Sequence, residues 1–266
     1  LRAYVERGNP KQKKLIFRGQ TGEWRLSTSE RKRILVQHVY GVDKDLNAVE
    51  VTKLSLLLKV LEGENSDSLN RQLSFLQERA LPDLQANIQC GNSLVGLDFY
   101  DAHPDLTDAE DERVRPFSWA DAFPDVFGRS KPGFDAIIGN PPYIRIQAYR
   151  QFAPRQASWL VERYTTAGSG MFDVYMAFVE QGWLCLRSGG RLGFILPNKF
   201  FATDAGVGLR GLLSEQRAMR RVVDFRHHQV FAQATTYTCL LFLARGRRSP
   251  VAYGTATPEQ IAGAPD

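Results

Sequence analysis

The sequence lacks several features that would point to a membrane, secreted or metal-dependent protein. No apolar run reaches the roughly 18 residues that a membrane-spanning helix needs, and no secretory signal peptide is present. Cysteine is scarce: Cys90, Cys185 and Cys239 lie far apart and lack the spacing of zinc ligands. We therefore predict no metal site and no membrane association. Three isolated cysteines suit a reducing compartment, which indicates a cytoplasmic location.

Positive charge is unevenly distributed. The net charge is +5, but residues 1–40 carry ten Lys and Arg against three Glu, a net +7 that leaves −2 for the remainder. A basic segment over residues 1–35 can track the phosphates of a nucleic acid. It can equally be a solvated face of a partly ordered segment. The charge permits a DNA partner without establishing one.

The most informative segment is an apolar run that ends in two prolines. Phe134–Gly139 has the length and β-branched content of a buried strand, and Asn140-Pro141-Pro142 ends it abruptly. Proline lacks an N–H group, so carbonyls in this loop stay free for a ligand. Asn140 would lie at the carboxyl edge of a sheet, where open α/β sheets bind ligands. Tyr143 adds a flat stacking surface, so the segment suits an exocyclic amino group and the ring that bears it.

This segment resembles the catalytic motif of amino-methyltransferases that use S-adenosylmethionine, above all the N6-adenine DNA methyltransferases. Three further segments occur in the order found in the methylase module of type IIG restriction–modification and phage-defence enzymes: Gly41–Asp45 with the helix after it, Cys90–Leu94, and Gly189–Asn198. The resemblance covers roughly residues 20–245. It implies a site-specific, adenine-specific DNA methyltransferase with S-adenosylmethionine as cofactor and double-stranded DNA, with a flipped adenine, as partner.

The resemblance also implies roles for the motif residues. Asn140 and Pro141 would each accept one hydrogen of the adenine N6 amino group, with Pro142 completing the catalytic motif. The nitrogen lone pair could then point at the sulfonium methyl, so positioning and dipoles would carry the reaction. Tyr143 would stack on the extruded base, a contact worth about 1–3 kcal/mol.

Three other residues have two interpretations each. Asp43 follows a short predicted strand, where Rossmann-like folds place an acid on the ribose hydroxyls, although turns also favour acids. Asn92 corresponds to a position that contacts the cofactor's adenine in related enzymes, or it caps a loop. Phe231 resembles the position that supplies a second aromatic ring to the extruded base in the family, or it belongs to the core.

Strands and helices alternate along the chain, which predicts an α/β fold with a mostly parallel, Rossmann-like methyltransferase sheet. The last predicted strand is 235–244, and the connection before it is too short for a helical crossover. We therefore expect this strand to be antiparallel and to lie at an edge of the sheet. A helix is predicted over 46–61 and another over 69–79.

The predicted divisions are a methyltransferase core over 36–246 and the start of a linker over 247–266. Within the core, 98–116 would form an acidic surface insertion, and 144–170 would be irregular and act as a lid.

One feature of the family is missing. No glycine-rich strand-to-loop segment, which would cradle the methionine part of the cofactor, precedes Asp43. Its absence predicts a gap in the sheet at the first strand, weak binding of S-adenosylmethionine and no activity for this chain alone. Because the chain begins at Leu rather than Met, we expect a fragment. A target-recognition domain would lie beyond Asp266, and a fused nuclease would also lie outside the chain.

Other functions stay open. The motif suits any planar amine conjugated to a ring or a carbonyl, so N4-cytosine in DNA, an RNA base and a protein glutamine are alternative substrates. A non-enzymatic alternative is a catalytically inactive DNA-binding remnant that uses the basic segment and the base pocket.

Overall fold

The structure is a computed structural model that describes residues 15–18, 22–62, 82–168, 171–231, 236–246 and 250–262. The helix predicted over 69–79 lies outside these residues. The chain divides into two compact units, Leu1–Gly91 and Asn92–Asp266. Within the described residues, no helix is long and apolar enough to cross a membrane.

Among its described residues, the first unit contains a short antiparallel hairpin, a parallel strand pair and two helices. These elements are β1 (Ile16–Arg18), β2 (Trp24–Leu26), α1 (Thr28–His38), β3 (Gly41–Asp43), α2 (Leu46–Leu61) and β4 (Ile88–Cys90). The helix α2 begins after Asp45, whose side chain accepts a hydrogen bond from the N–H of Asn47 and so caps the helix. Strands β3 and β4 pair in parallel, with Asp43 opposite Cys90.

The second unit holds a five-stranded sheet and most of the helices. Its strands are β5 (Phe134–Gly139), β6 (Leu186–Pro197), β7 (Met219–Asp224), β8 (Thr238–Ala244) and β9 (Ala252–Thr255). Its helices are α3 (Phe99–Ala102), α4 (Asp108–Val114), α5 (Trp119–Ala122), α6 (Pro124–Phe127), α7 (Ile146–Phe152), α8 (Pro154–Arg163), α9 (Tyr175–Cys185), α10 (Val207–Glu215) and α11 (Pro258–Ala262).

The strand order is β5-β6-β8-β7-β9. Strand β8 runs antiparallel to both of its neighbours, and the other pairings are parallel. The predicted α/β fold with one antiparallel strand is therefore confirmed. The predicted edge position of that strand is wrong, because β8 lies between β6 and β7. Its buried residues Cys239, Leu241 and Leu243 suit the interior of a sheet, and the unpredicted strand β9 extends the sheet beyond β7.

The prediction that Phe134–Gly139 is a strand is confirmed, but the prediction that it is buried is wrong. Ile138 is 88% exposed, and Asp135 and Ala136 are also exposed. The reason is that β5 is the outer strand of its sheet: no described strand pairs with its other edge.

The prediction that 144–170 is irregular is wrong for the described part of this range, residues 144–168. That part includes α7, α8 and a 3₁₀ turn at Thr165–Ala167. Pro154 begins α8 at a position where its missing N–H costs nothing. Ile146, Ala157 and Leu160 are fully buried in the core of the second unit, so tertiary packing contributes to the stability of these helices.

Candidate active site

Three parallel strands of the second unit end at the same edge of the sheet. Because β5, β6 and β7 run in the same direction, the residues that follow each of them meet there. Asn140 follows β5, Asn198 follows β6 and Phe225 follows β7. This edge is where an open α/β sheet presents side chains to a ligand.

Strand β5 ends at Gly139, and Asn140 is the first residue after it. A Cβ atom at Gly139 would lie 2.9 Å from a ring carbon of Phe194 on β6, so glycine is required for the close packing of the two strands. Asn140, the next residue, is exposed. Its amide makes no hydrogen bond with any residue that the structure describes, which leaves both its oxygen and its NH₂ group available to a ligand.

The two prolines shape the loop after Asn140. Pro141 is buried and Pro142 is exposed. Neither has an N–H group, and in the described part of the chain no donor reaches the Pro141 carbonyl. The loop therefore presents two unengaged acceptors close in sequence, the side-chain oxygen of Asn140 and the carbonyl of Pro141.

Tyr143 is half-buried, and its ring is fixed at both the hydroxyl and an edge. The hydroxyl donates a hydrogen bond to the carbonyl of Ile195 on β6 at 3.2 Å. The ring meets that of Tyr175 edge-to-face, with 6.2 Å between centroids and 80° between planes. Burial raises the pKa of Tyr143 to about 12, so the hydroxyl stays a donor at neutral pH.

A polar network at the ends of β6 and β7 was not singled out from the sequence. Asn198 Nδ2 donates to Asp224 Oδ1 at 3.0 Å, and the Tyr253 hydroxyl donates to Asp224 Oδ2 at 2.9 Å. The N–H of Arg226 also donates to Oδ1. Burial raises the pKa of Asp224, but the hydrogen bonds outweigh it and hold the pKa below the usual value. The position of Asn198 directly after an apolar strand was the available signal.

Asp43 lies in the first unit, at the carboxyl end of β3, and is exposed. Its Oδ1 accepts the N–H of Asp45 at 2.8 Å, which is a turn-forming contact. Its Oδ2 has no partner among the described residues. The turn-forming interpretation is therefore confirmed for one oxygen, and the other oxygen stays available for a ribose hydroxyl.

Asn92 is buried, and both ends of its amide are engaged. Nδ2 donates to Gln156 Oε1 at 3.2 Å, and Oδ1 accepts the N–H of Leu94 at 3.1 Å. Gln156 also accepts a hydrogen bond from the Tyr149 hydroxyl at 2.7 Å. These contacts correspond to the loop-capping alternative. A contact between Asn92 and the cofactor stays a prediction.

Phe231 is half-buried, in an irregular segment after β7. It is not among the described residues that pack in the core of the second unit. A stacking role for Phe231 stays a prediction, and so does the lid over 144–170. No group of three or more His, Cys, Asp or Glu residues in the described ranges could hold a metal ion.

Comparisons with known proteins identify relatives. The sequence profile of the Eco57I restriction-modification methylase family matches residues 37–231. The type II restriction enzyme and methyltransferase RM.Eco57I of Escherichia coli is 35% identical over 220 residues, which are 83% of this chain and 20% of that protein. The chain thus spans about one fifth of this relative's length.

Two solved structures have a similar fold at 15% identity. One is a complex of DrdV with DNA, with a TM-score of 0.58 over 87% of this chain and 22% of that one. The other is a nuclease-deletion mutant of the Type ISP restriction-modification enzyme LlaGI with a DNA substrate mimic. Its TM-score is 0.56, over 88% of this chain and 20% of that one. At this identity the likeness shows the fold alone.

Proposed function

The chain belongs to the Eco57I restriction-modification methylase family, and we propose that it transfers a methyl group from S-adenosylmethionine to the N6 amino group of adenine in DNA. It would act as the site-specific methyltransferase module of a restriction–modification or phage-defence system. The curated relative RM.Eco57I combines a restriction enzyme and a methyltransferase. A fused nuclease and a target-recognition domain therefore belong to this proposal, and both would lie outside this chain.

The observation that carries the proposal is the pair of unengaged acceptors after β5. An amino group on a purine ring has two hydrogens and a lone pair that is delocalised into the ring. If the Asn140 side-chain oxygen and the Pro141 carbonyl each accept one hydrogen, the nitrogen becomes pyramidal and its lone pair localises. Both acceptors also stabilise the positive charge that develops on N6 as the methyl group arrives. Positioning supplies the rest of the rate enhancement.

Tyr143 would support the target base. Its hydroxyl is engaged with Ile195 and its ring edge meets Tyr175, so the ring has little freedom to rotate. A ring that is already ordered loses little entropy when a base stacks on it. The proposal requires the adenine to leave the duplex, because N6 cannot reach a residue at a sheet edge from inside a base stack.

The proposed binding of S-adenosylmethionine is supported by the chemistry of the Asp43 side chain. A carboxylate with one unengaged oxygen at the carboxyl end of a parallel strand fits the hydroxyls of a ribose. When bound, S-adenosylmethionine supplies a methyl group on a positively charged sulfur. Asp43 would hold the ribose, while Asn140, Pro141 and Tyr143 would hold the base.

The chemical identity of the methylated product tests the proposal. The full-length polypeptide would be expressed in a host that lacks DNA methylases, and modified nucleosides in hydrolysed genomic DNA would be quantified by mass spectrometry. We expect N6-methyladenine. N4-methylcytosine would keep the mechanism and change the base. The absence of both would contradict the proposal and favour an RNA or protein substrate, or an inactive DNA-binding remnant.

A further inference from the structure

The segment that follows the Asn140–Tyr143 loop is paired with a second segment of the same unit. The N–H of Val174 donates to the carbonyl of Ile144 at 2.8 Å, and the N–H of Ile146 donates to the carbonyl of Phe172 at 3.0 Å. Arg145 and Asp173 lie directly opposite each other in this antiparallel bridge. Side chains of directly opposed residues lie on the same face of a ladder, so Arg145 and Asp173 share one side.

Asp173 is 5% exposed, and its carboxylate holds a lysine from another element. Lys199 Nζ lies 2.6 Å from Asp173 Oδ2. This contact is an ion pair between a buried carboxylate and a partly exposed ammonium group. Lys199 is in the 3₁₀ turn that follows β6, the strand next to β5. Asp173 therefore holds the Lys199 ammonium group next to the backbone segment that begins at Ile144, directly after the Asn140–Tyr143 loop.

Stability alone does not account for this arrangement. Ion pairs with a buried member rarely contribute much net stability, because desolvation offsets the attraction, and apolar replacements are often as stable. The side chain of Lys199 is 39% exposed, and an ammonium has three donors. Arg145 is also exposed and forms no ion pair with the residues that the structure describes. Together Arg145, Asp173 and Lys199 carry one net positive charge at this edge.

This inference rests on the proposed reaction, which limits the anions that the positive charge of Arg145 and Lys199 would bind. Adenine is neutral, and its N6 becomes positive as it is methylated, so a nearby cation does not help the base itself. The backbone phosphates are the anions that DNA brings to this edge. We propose that Lys199 and Arg145 bind a backbone phosphate of the strand that carries the extruded adenine, with Asp173 as the positioning residue that orders Lys199.

Salt dependence of DNA binding tests the phosphate contact. The full-length polypeptide would be titrated into a fluorescein-labelled duplex that carries its methylated sequence, at salt concentrations from about 50 to about 200 mM. For Lys199→Met we expect the magnitude of the slope of log K against log salt to fall by about one, and binding near 0.15 M salt to weaken about tenfold. Arg145→Gln should behave alike, and Lys199→Arg should restore the slope.

Three further variants separate a phosphate contact from a structural role. The double change Lys199→Met with Asp173→Leu replaces the ion pair by apolar groups at unchanged net charge, and it should also lower the slope by about one. Lys131→Met, in the exposed turn before β5 at the opposite edge of the sheet, is the matched control and should leave the slope unchanged. Asp173→Asn should lower kcat/KM for methylation while the slope stays within error of the unaltered protein.

Three outcomes would overturn the inference. An unaltered slope for Lys199→Met, in a protein that still methylates DNA, would show that Lys199 is only a structural tie. An unaltered slope together with weaker binding of S-adenosylmethionine in calorimetry would assign the lysine to the cofactor carboxylate instead. If the unaltered protein neither bound nor methylated DNA, the proposed function itself would fail, which this series distinguishes from failure of the phosphate contact.

Discussion

The hydroxyl of Tyr143 donates a hydrogen bond to the main-chain carbonyl of Ile195, at 3.2 Å, and so joins the loop after β5 to the neighbouring strand β6. The bond fixes the ring at its polar end. Because burial raises the pKa of this hydroxyl to about 12, it does not ionise between pH 6 and pH 9. Tyr143 therefore presents a neutral ring in a fixed orientation.

Substitutions at Tyr143 should separate the ring from its hydroxyl. Tyr143→Phe removes the bond to Ile195 and should lower the free energy of unfolding by about 1 kcal/mol, with methylation within a few fold of the unaltered enzyme. Tyr143→Ala removes the stacking surface, worth about 1–3 kcal/mol, and should lower kcat/KM at least about fivefold. Urea denaturation measures the change in the free energy of unfolding. Steady-state methylation of a duplex substrate measures the activity of both variants. Equal losses for the two variants would contradict a stacking role.

Gly139 should tolerate no side chain. In Gly139→Ala the new Cβ would lie 2.9 Å from the ring of Phe194, which is 6% exposed and has little space to move. We expect the free energy of unfolding, measured by urea denaturation, to fall by about 1–3 kcal/mol.

Gly211 provides the matched control for Gly139. It lies inside α10, and a Cβ there would meet nothing within 4 Å. Gly211→Ala should therefore stabilise the protein by up to about 1 kcal/mol, since alanine has the higher helix propensity. Destabilisation of both variants by similar amounts would show that the packing of β5 on β6 is not the cause.

Much of the fold follows from periodicity. The strand Phe134–Gly139 and the helix Leu46–Leu61 were predicted because an apolar run and a helical spacing each identify one element. The place of β8 inside the sheet was not predicted, since strand order depends on packing between segments distant in sequence. Strand β9 was missed because Ala252–Thr255 is exposed throughout and has no apolar pattern.

The candidate site could be predicted only in part. Asn140 and Tyr143 stand out because they follow a strand and flank two prolines. Asp173 and Lys199 do not, because they lie 26 residues apart in the sequence. Their ion pair and the pairing of Asp173 with Arg145 are visible only in the structure. The engagement of Asn92 with Gln156 likewise joins residues that no local pattern connects.

The network around Asp224 should make stability depend on pH at the acidic end. Burial opposes ionisation of Asp224, but the hydrogen bonds from Asn198, Arg226 and Tyr253 hold its pKa below the unfolded value of about 3.9. A lowered folded pKa stabilises the protein fully above that value, and the stabilisation is lost as pH falls through the folded pKa.

Asp224→Asn tests this linkage. The variant should be less stable than the unaltered protein at pH 7, and the difference should shrink as the pH falls below about 4. Urea denaturation at a series of pH values measures it. A difference that stayed constant down to the lowest pH would exclude ionisation of Asp224 as the cause.

Asp43 should contribute to cofactor binding through its unengaged oxygen. In the full-length polypeptide, Asp43→Ala should raise the KM for S-adenosylmethionine about tenfold or more, since a charge-assisted hydrogen bond contributes roughly 1.5–3 kcal/mol. Asp45→Ala removes the side chain that caps α2. It serves as the control for local unfolding near Asp43. If Asp45→Ala raised the KM as much as Asp43→Ala, the turn rather than the ribose contact would explain the effect.

The most direct test of the central claim is methylation by Asn140→Ala in the purified full-length polypeptide, measured as a single turnover on duplex DNA together with DNA affinity. Loss of one of the two acceptors should slow methyl transfer by about a hundredfold or more and leave DNA affinity within a few fold. Gln216→Ala, which removes an exposed amide before β7 at the opposite edge, should methylate normally. Unchanged turnover in Asn140→Ala would contradict the assignment of this loop as the site of methyl transfer.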